Sequence, residues 1–358
     1  MLCAVAAVAC DGGPVGGAPE GAIDLAAPWV EVPPDAVGLD ANALLVAGEE
    51  GSRIDRLRSL VVVREGRLAY ERYYGGAAVD TLADVRSVTK SIMATLVGIG
   101  LANGAIQDLD QPITDFIDDS EFDVRQEHAR VTVRHLLMMT SGLFWLENNS
   151  AGYNEWITSG DHVGYLLSRP FVAVPGEQFT YNSAAVHLLG VVLEQAVRQP
   201  VPEFADEFLF GPLGIGDVVW EELSTGYVNG SAGIDMRPRD LAKLGQLYLQ
   251  QGWSGPRSIV PGVWIEDVTT RRWDDLGSVS PIDRLSYGYL WWLDLERDAF
   301  IAWGFGGQFI YVVPQLDLVV VATTDWRGVR NDVGPSALQE EVLSLITDDV
   351  LTAIRSGR

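Results

Sequence analysis

Apolar and polar positions change their period several times along the chain, and each change marks an element. Leu60–Arg64 and Arg67–Tyr74 alternate about Glu65-Gly66, which predicts a β-hairpin. Ahead of it, Asp40 stands as the N-cap of a helix opened by Ala41-Asn42-Ala43-Leu44-Leu45. From Ser87 to Asn103 the apolar residues Ile92, Met93, Leu96, Val97, Ile99 and Leu101 recur all round the helix, which marks it as central and buried. Helical spacing follows at Val133–Thr140, Val163–Ser168, Ser183–Val197 and Arg239–Gln250. Strand-like runs return at Tyr287–Leu293, Phe300–Val313 and Leu318–Thr324, and Pro335–Arg355 has the pattern of a closing helix.

Strands at both ends and helices between them give an α/β (α+β) plan. One antiparallel sheet is expected to draw on both ends of the chain, flanked by helices, with a largely helical insertion over about 87–280. An active site in such a plan belongs in the crevice between the two parts. Residues 11–36, rich in Gly, Pro and Ala and without any period, read as a tether, so the folded domain is expected over 37–358.

Composition narrows the function more than the fold. The 358 residues are 47% apolar and 21% charged, unlike a disordered tail or a coiled coil. The net charge of −24, from 49 acids and 25 bases, repels phosphate backbones, which excludes a nucleic-acid partner and docking on anionic lipid through a basic patch. The two cysteines, Cys3 and Cys10, leave the body of the chain without a disulfide, a zinc knuckle or a thiol nucleophile. They sit in an apolar opening of small residues that reads as the end of an export signal. Ala7-Val8-Ala9-Cys10 resembles a bacterial lipoprotein cleavage site, so a periplasmic or lipid-anchored location is expected, with Cys10 as the only membrane contact. Beyond it there is no uncharged run of 18 or more residues fit for a membrane helix.

The four histidines form no H-E-x-x-H pair, and no G-x-S-x-G elbow occurs. One arrangement survives. Ser87-Val88-Thr89-Lys90 opens the buried helix, where i and i+3 share a face and bring the lysine amine within reach of the serine oxygen. The helix N-terminus adds N–H groups and a positive dipole end. A lysine serves as base to a serine once burial lowers its pKa, and the apolar surroundings of Lys90 supply that burial. Only Lys90 and Lys243 among the 25 basic residues are lysines. Arginine cannot release its proton, so the use of lysine here points to chemistry.

These residues lie within a longer likeness. Val85-Arg86-Ser87-Val88-Thr89-Lys90-Ser91 resembles the nucleophile motif of the serine β-lactamase and penicillin-binding-protein superfamily, and of its β-lactamase-related serine hydrolases in particular. Leu101–Ile113 and Val131–Leu143 resemble structural signatures of that family. Pro175–Ser183 resembles its second catalytic motif, and Arg237–Gly245 a helix start found in many members. The family includes class C β-lactamases, D,D-peptidases, family VIII-type esterases and 6-aminohexanoate-oligomer hydrolases. The resemblance implies a β-lactamase/transpeptidase-like fold, no metal or organic cofactor, and a small ester or amide as substrate. It casts Ser87 as the acylated nucleophile, Lys90 as its base, and Tyr181 as second base or proton shuttle, with the phenolate stabilised by the Lys90 ammonium. The N–H groups of Phe305 and Ser87 would form the oxyanion hole, on a strand where Gly304, Gly306 and Gly307 permit close approach beside Trp303.

Two departures shift the substrate. Ser183 stands where β-lactamases and D,D-peptidases usually have Asn, and Ala302 where relatives place a cation in K-T-G or H-x-G. Esterase or amidase activity on uncharged acyl groups is therefore expected ahead of β-lactamase or D,D-carboxypeptidase activity. A non-hydrolytic cell-envelope ligand sensor is the alternative from another class. Trp145, Trp156, Trp291, Trp292 and Trp303 are open to lining an apolar pocket or to simple packing. His135 and His187 read as structural.

Overall fold

The computed structural model describes residues 17–117, 120–148, 150–223, 226–274, 276–328 and 334–355. Cys3, Cys10 and the leader-like opening lie outside them, as does the start of the tether. The strands are β1 (Leu57–Arg64), β2 (Arg67–Tyr73), β3 (Ala83–Asp84), β4 (Val219–Trp220), β5 (Ile234–Met236), β6 (Trp253–Ser254), β7 (Arg257–Ser258), β8 (Leu285–Tyr287), β9 (Trp292–Asp294), β10 (Ala299–Gly304), β11 (Gln308–Val313) and β12 (Leu318–Thr324).

Seven of them make one sheet in the order β2-β1-β12-β11-β10-β9-β8, its pairs antiparallel. The strands from the two ends of the chain meet at its centre, where Val61 of β1 pairs with Val321 of β12. Both faces are covered, which is why β1 and β12 read as nearly continuous apolar runs. Val61, Val63, Val319 and Val321 point into a core shared with Ile92, Leu96 and Leu244, on the helices Val88–Ala102 and Pro238–Leu249. Leu60, Val62, Leu318 and Val320 point the other way, against Leu44 of the helix Ala41–Gly51 and Leu338 and Val342 of the helix Gly334–Ser344. A small sheet, β3-β5-β4, lies where the chain passes from β2 into the central helix.

Local signals explain most boundaries. Asp40 caps its helix by accepting from the N–H groups of Asn42 and Ala43, and Glu65 and Gly66 turn the first hairpin with φ of 51° and 68°. Four elements differ from the periodic reading. The run 287–293 is two strands, broken where Leu290 takes φ 58°. The run 300–313 is a hairpin, folded over Phe305-Gly306-Gly307 with φ of 77° at Gly306. The helix from Val133 stops at Leu137, before Met139 at φ 59°. The closing helix winds regularly only to Ser344 and then widens over Leu345–Val350.

The tether reading fails from Ile23 onward. Leu25 is buried, its N–H donating to Ser254 Oγ at 2.9 Å, and Trp29 Nε1 donates to the carbonyl of Arg239 at 3.0 Å. Leu25 and Trp29 thus anchor a segment whose Gly and Pro content had predicted a tether. No helix among the described residues is long and apolar enough to cross a membrane.

Candidate active site

The nucleophile candidate sits at a sharp strand-to-helix junction. β3 is held by β5, and the N–H of Val85 donates to the carbonyl of Ile234 at 2.9 Å. Arg86 then reverses the chain at φ 50°. Ser87 follows as the residue that caps the helix Val88–Ala102, its side chain left free of any capping bond. Its hydroxyl is therefore available to the cleft.

Lys90 lies one turn further on and is 1% exposed. Its Nζ donates to Ser87 Oγ at 2.9 Å, to Ser183 Oγ at 3.0 Å and to the carbonyl of Ser231 at 2.8 Å. Three acceptors satisfy its three donors, and none is a carboxylate. Burial, aided by the nearby Arg86 charge and opposed by Glu147, brings the Lys90 amine down to about 7. It is poised to take and return a proton near neutrality.

Tyr181 reaches the same point from the other wall. Its ring lies 5.1 Å from Lys90 Nζ, stacked at 5.8 Å on Trp292. Asn182 places it: the Asn182 side chain caps the helix Ser183–Val197 by accepting from the Ala185 N–H at 2.9 Å. Burial, and secondarily Glu147, push the Tyr181 phenol above its ordinary value. This corrects the expectation of a phenolate stabilised by Lys90. With the amine near 7, Lys90 passes readily between its charged and neutral forms at neutrality, while the raised phenol keeps its proton.

Ser183 accepts from Lys90 and donates, through its hydroxyl and its backbone N–H, to the two oxygens of Glu147. Glu147 also accepts from Trp145 Nε1. The hydroxyl that stands in place of the usual Asn thus links the lysine to a carboxylate. Nothing in the sequence marked Glu147, which lies in an irregular segment with no period to assign it a face.

The strand wall is set by close approach. A Cβ on Gly304 would lie 2.2 Å from the carbonyl oxygen of Val85, so only glycine lets the end of β10 lie against the junction that carries Ser87. The turn beyond is pinned: Gly306 donates to Gln339 Oε1 at 3.0 Å and accepts from Thr324 Oγ1 at 2.6 Å. Gly307 closes it with an N–H to the Gly304 carbonyl at 3.3 Å. Phe305 stands at its crest, 42% exposed.

Trp303 does not join them. Strand alternation turns it to the opposite face of the sheet, against Phe309 at 5.3 Å. Ala302 faces the near side but is fully buried in the core under the central helix. Of the other tryptophans only Trp292 touches Tyr181; Trp156 and Trp291 are buried, Trp291 bonded to Tyr248 Oη at 3.0 Å. His135 accepts from the Thr132 N–H through its own Nδ1. His187, which burial pushes down to about 3, packs against His162 and Trp156. Neither histidine bonds Ser87 or Lys90.

A serine, a lysine and a tyrosine meeting at the start of a buried helix, beside an antiparallel sheet drawn from both ends of the chain, define a β-lactamase/transpeptidase-like protein. The chain belongs to the beta-lactamase family, whose profile matches residues 58–342. It is 25% identical over 289 residues to the 6-aminohexanoate-dimer hydrolase of Paenarthrobacter ureafaciens, covering 75% of this chain and 72% of that one. It is 32% identical over 213 residues to esterase EstB of Burkholderia gladioli, about half of each chain (51% and 53%). Among solved structures, a putative 6-aminohexanoate-dimer hydrolase from Bacillus anthracis superposes with a TM-score of 0.72 at 20% identity, over 95% of this chain and 89% of that one. The likeness to that structure is one of fold.

Proposed function

We propose that this chain is a serine hydrolase that cleaves small esters or amides through an acyl-enzyme on Ser87. The observation that carries the reading is the Lys90 amine, buried, free of any carboxylate contact and 2.9 Å from the Ser87 oxygen. Ser87 Oγ attacks the substrate carbonyl carbon as its proton passes to Lys90 Nζ. The carbonyl oxygen takes up the negative charge and is met by the N–H groups of Ser87 and Phe305, donors worth about 3–4 kcal/mol each in such sites. Tyr181 gives its proton to the departing alcohol or amine and is reprotonated from Lys90. Water then attacks the acyl carbonyl, losing a proton to the same pair, and that proton is returned to Ser87 Oγ as the Ser87–acyl bond breaks to release the acid.

The curated relatives, an amide hydrolase of 6-aminohexanoate dimers and an esterase, support this substrate class. The test is wild type against Ser87→Ala on p-nitrophenyl esters, 6-aminohexanoate dimer, nitrocefin and a D-Ala-D-Ala peptide, with a fluorophosphonate probe alongside. Turnover and labelling should both vanish in the variant while the fold survives, since the Ser87 side chain makes no capping bond to lose. Labelling that persists without Ser87 would overturn the assignment.

A further inference from the structure

Arg86, the residue before the nucleophile, is half-buried and has no acid of its own. Its Nη2 donates to Tyr153 Oη at 3.2 Å, and its guanidinium lies 4.4 Å from the centre of the Trp326 ring. Its Nε is closed off from water without a partner. Among the described residues no carboxylate comes within ion-pairing distance of it, in a chain with almost two acids for every base. The acid nearest in sequence, Asp84, is already engaged. One Asp84 oxygen accepts the backbone N–H of Arg86, and the other accepts Trp326 Nε1 at 3.1 Å and Arg327 at 2.7 Å.

The position of Arg86 is as telling as its solitude. Tyr153 belongs to the helical wall, while Trp326 follows β12 and meets Phe305 edge-on at 5.9 Å on the strand wall. The guanidinium therefore spans the two walls beside Ser87, and its charge is felt at both Lys90 and Tyr181. A planar cation held over an indole and steadied by one phenol is pre-organised for a planar anion. A half-buried guanidinium without a carboxylate partner is costly to the protein alone, and an incoming carboxylate supplies that partner.

The geometry points to Arg86 as the recognition group for a carboxylate carried by the substrate, which makes the preferred substrate a monoanionic ester or amide. This rests on the hydrolase reading above and reverses the preference for uncharged acyl groups that Ala302 implied. That expectation considered one strand position, whereas the cation arrives from the turn before the nucleophile. The net charge of −24 slows the approach of an anion from a distance, but beyond about 8–10 Å salt screens that field while contact with Arg86 is retained.

Two matched pairs of esters test it. One carries the charge on the acyl group, p-nitrophenyl hemiadipate against p-nitrophenyl hexanoate; the other carries it on the leaving group, 4-acetoxybenzoate against its methyl ester. The reading is the charged-to-neutral ratio of kcat/KM in wild type, R86K and R86Q at one pH and ionic strength. Any effect of Arg86 on Lys90 cancels in that ratio. In R86Q the ratio should fall at least tenfold for one pair, about 1.4 kcal/mol, with R86K between. A ratio within twofold of wild type for both pairs overturns the assignment. In wild type, which needs no variant to fold, hexanoate should inhibit neutral-ester hydrolysis at a concentration at least fivefold below hexanamide; equal inhibition also overturns it. If wild type hydrolyses none of the four esters and resists the fluorophosphonate, the hydrolase reading itself has failed, and this assignment with it.

Discussion

The two lysines of this chain are both drawn inside, yet their surroundings differ in kind. Lys243 Nζ donates to the carbonyls of Leu213 and Gly214 at 2.8 and 3.4 Å, where it finishes a short helical turn, and Asp240 lies one turn earlier on its own helix. Burial lowers its pKa and Asp240 pushes it back. Lys90 has a carbonyl too, but its other partners are hydroxyls, Ser87 and Ser183. A carbonyl can only accept a hydrogen bond, whereas a hydroxyl can hand over its own proton. Burial makes both amines less basic; only the partner atoms of Lys90 suit it to the role of base proposed for it.

Exchange of each lysine for arginine tests this contrast most strongly. Lys90→Arg keeps the charge and forbids proton release, so kcat should fall at least about a hundredfold, or about 2.7 kcal/mol of barrier. Lys243→Arg should leave kcat within about twofold, its cost confined to thermal stability. Equal losses in the two variants would dissolve the distinction. Next in size is Ser183→Ala, which cuts the link from Lys90 to Glu147. A bond to a charged group is worth about 1.5–3 kcal/mol, so a loss of roughly tenfold or more in kcat is expected; an unchanged kcat would make Ser183 mere packing.

A pH profile sharpens the comparison further. Lys90 acts as base only when neutral, so kcat/KM on a neutral ester should rise with pH through about 7. Glu147 holds the amine up, so Glu147→Gln should carry that rising limb to lower pH, and movement upward would contradict the field described. The smallest effect concerns the other lysine. Burial raises Asp240 to about 6, with Lys243 pulling against it. A carboxyl raised in the folded state stabilises the fold at low pH and loses that contribution as pH climbs from about 4 through 6. Asp240→Asn should therefore flatten the fall in Tm over that window, and a wild-type slope that survives the substitution would point to another group.

Ser87 and Lys90 were legible in the sequence because a local rule, the i, i+3 spacing on a buried helix, places them. Tyr181 was reached only through the resemblance of Pro175–Ser183 to a family motif. Glu147 and Arg86 were not legible for the opposite reason. Glu147 meets Ser183 only across the fold, and Arg86 is aimed by a left-handed backbone that no periodicity announces. The sheet shows the same divide. Leu318–Thr324 reads as a strand outright, since both its faces are buried, whereas 287–293 keeps its apolar run through a turn at Leu290. Apolar content reports burial, not direction. Trp303 was misplaced for a related reason: it neighbours Gly304 in sequence, and adjacent strand residues face opposite ways.

The pairing of β1 with β12 also bears on how the protein comes to be made. Val61 finds Val321 only after some 260 further residues have left the ribosome, which at about 5–20 residues per second takes roughly 13–52 seconds. For that interval the first hairpin waits with an apolar, unpaired edge, the kind of surface on which nascent chains aggregate. Contacts so distant in sequence also slow the search for the native state. The sheet that backs the Ser87 cleft is thus completed late in synthesis, and the Ser87 site, which leans on β10 through Gly304, cannot be assembled on a growing chain before β10 has emerged.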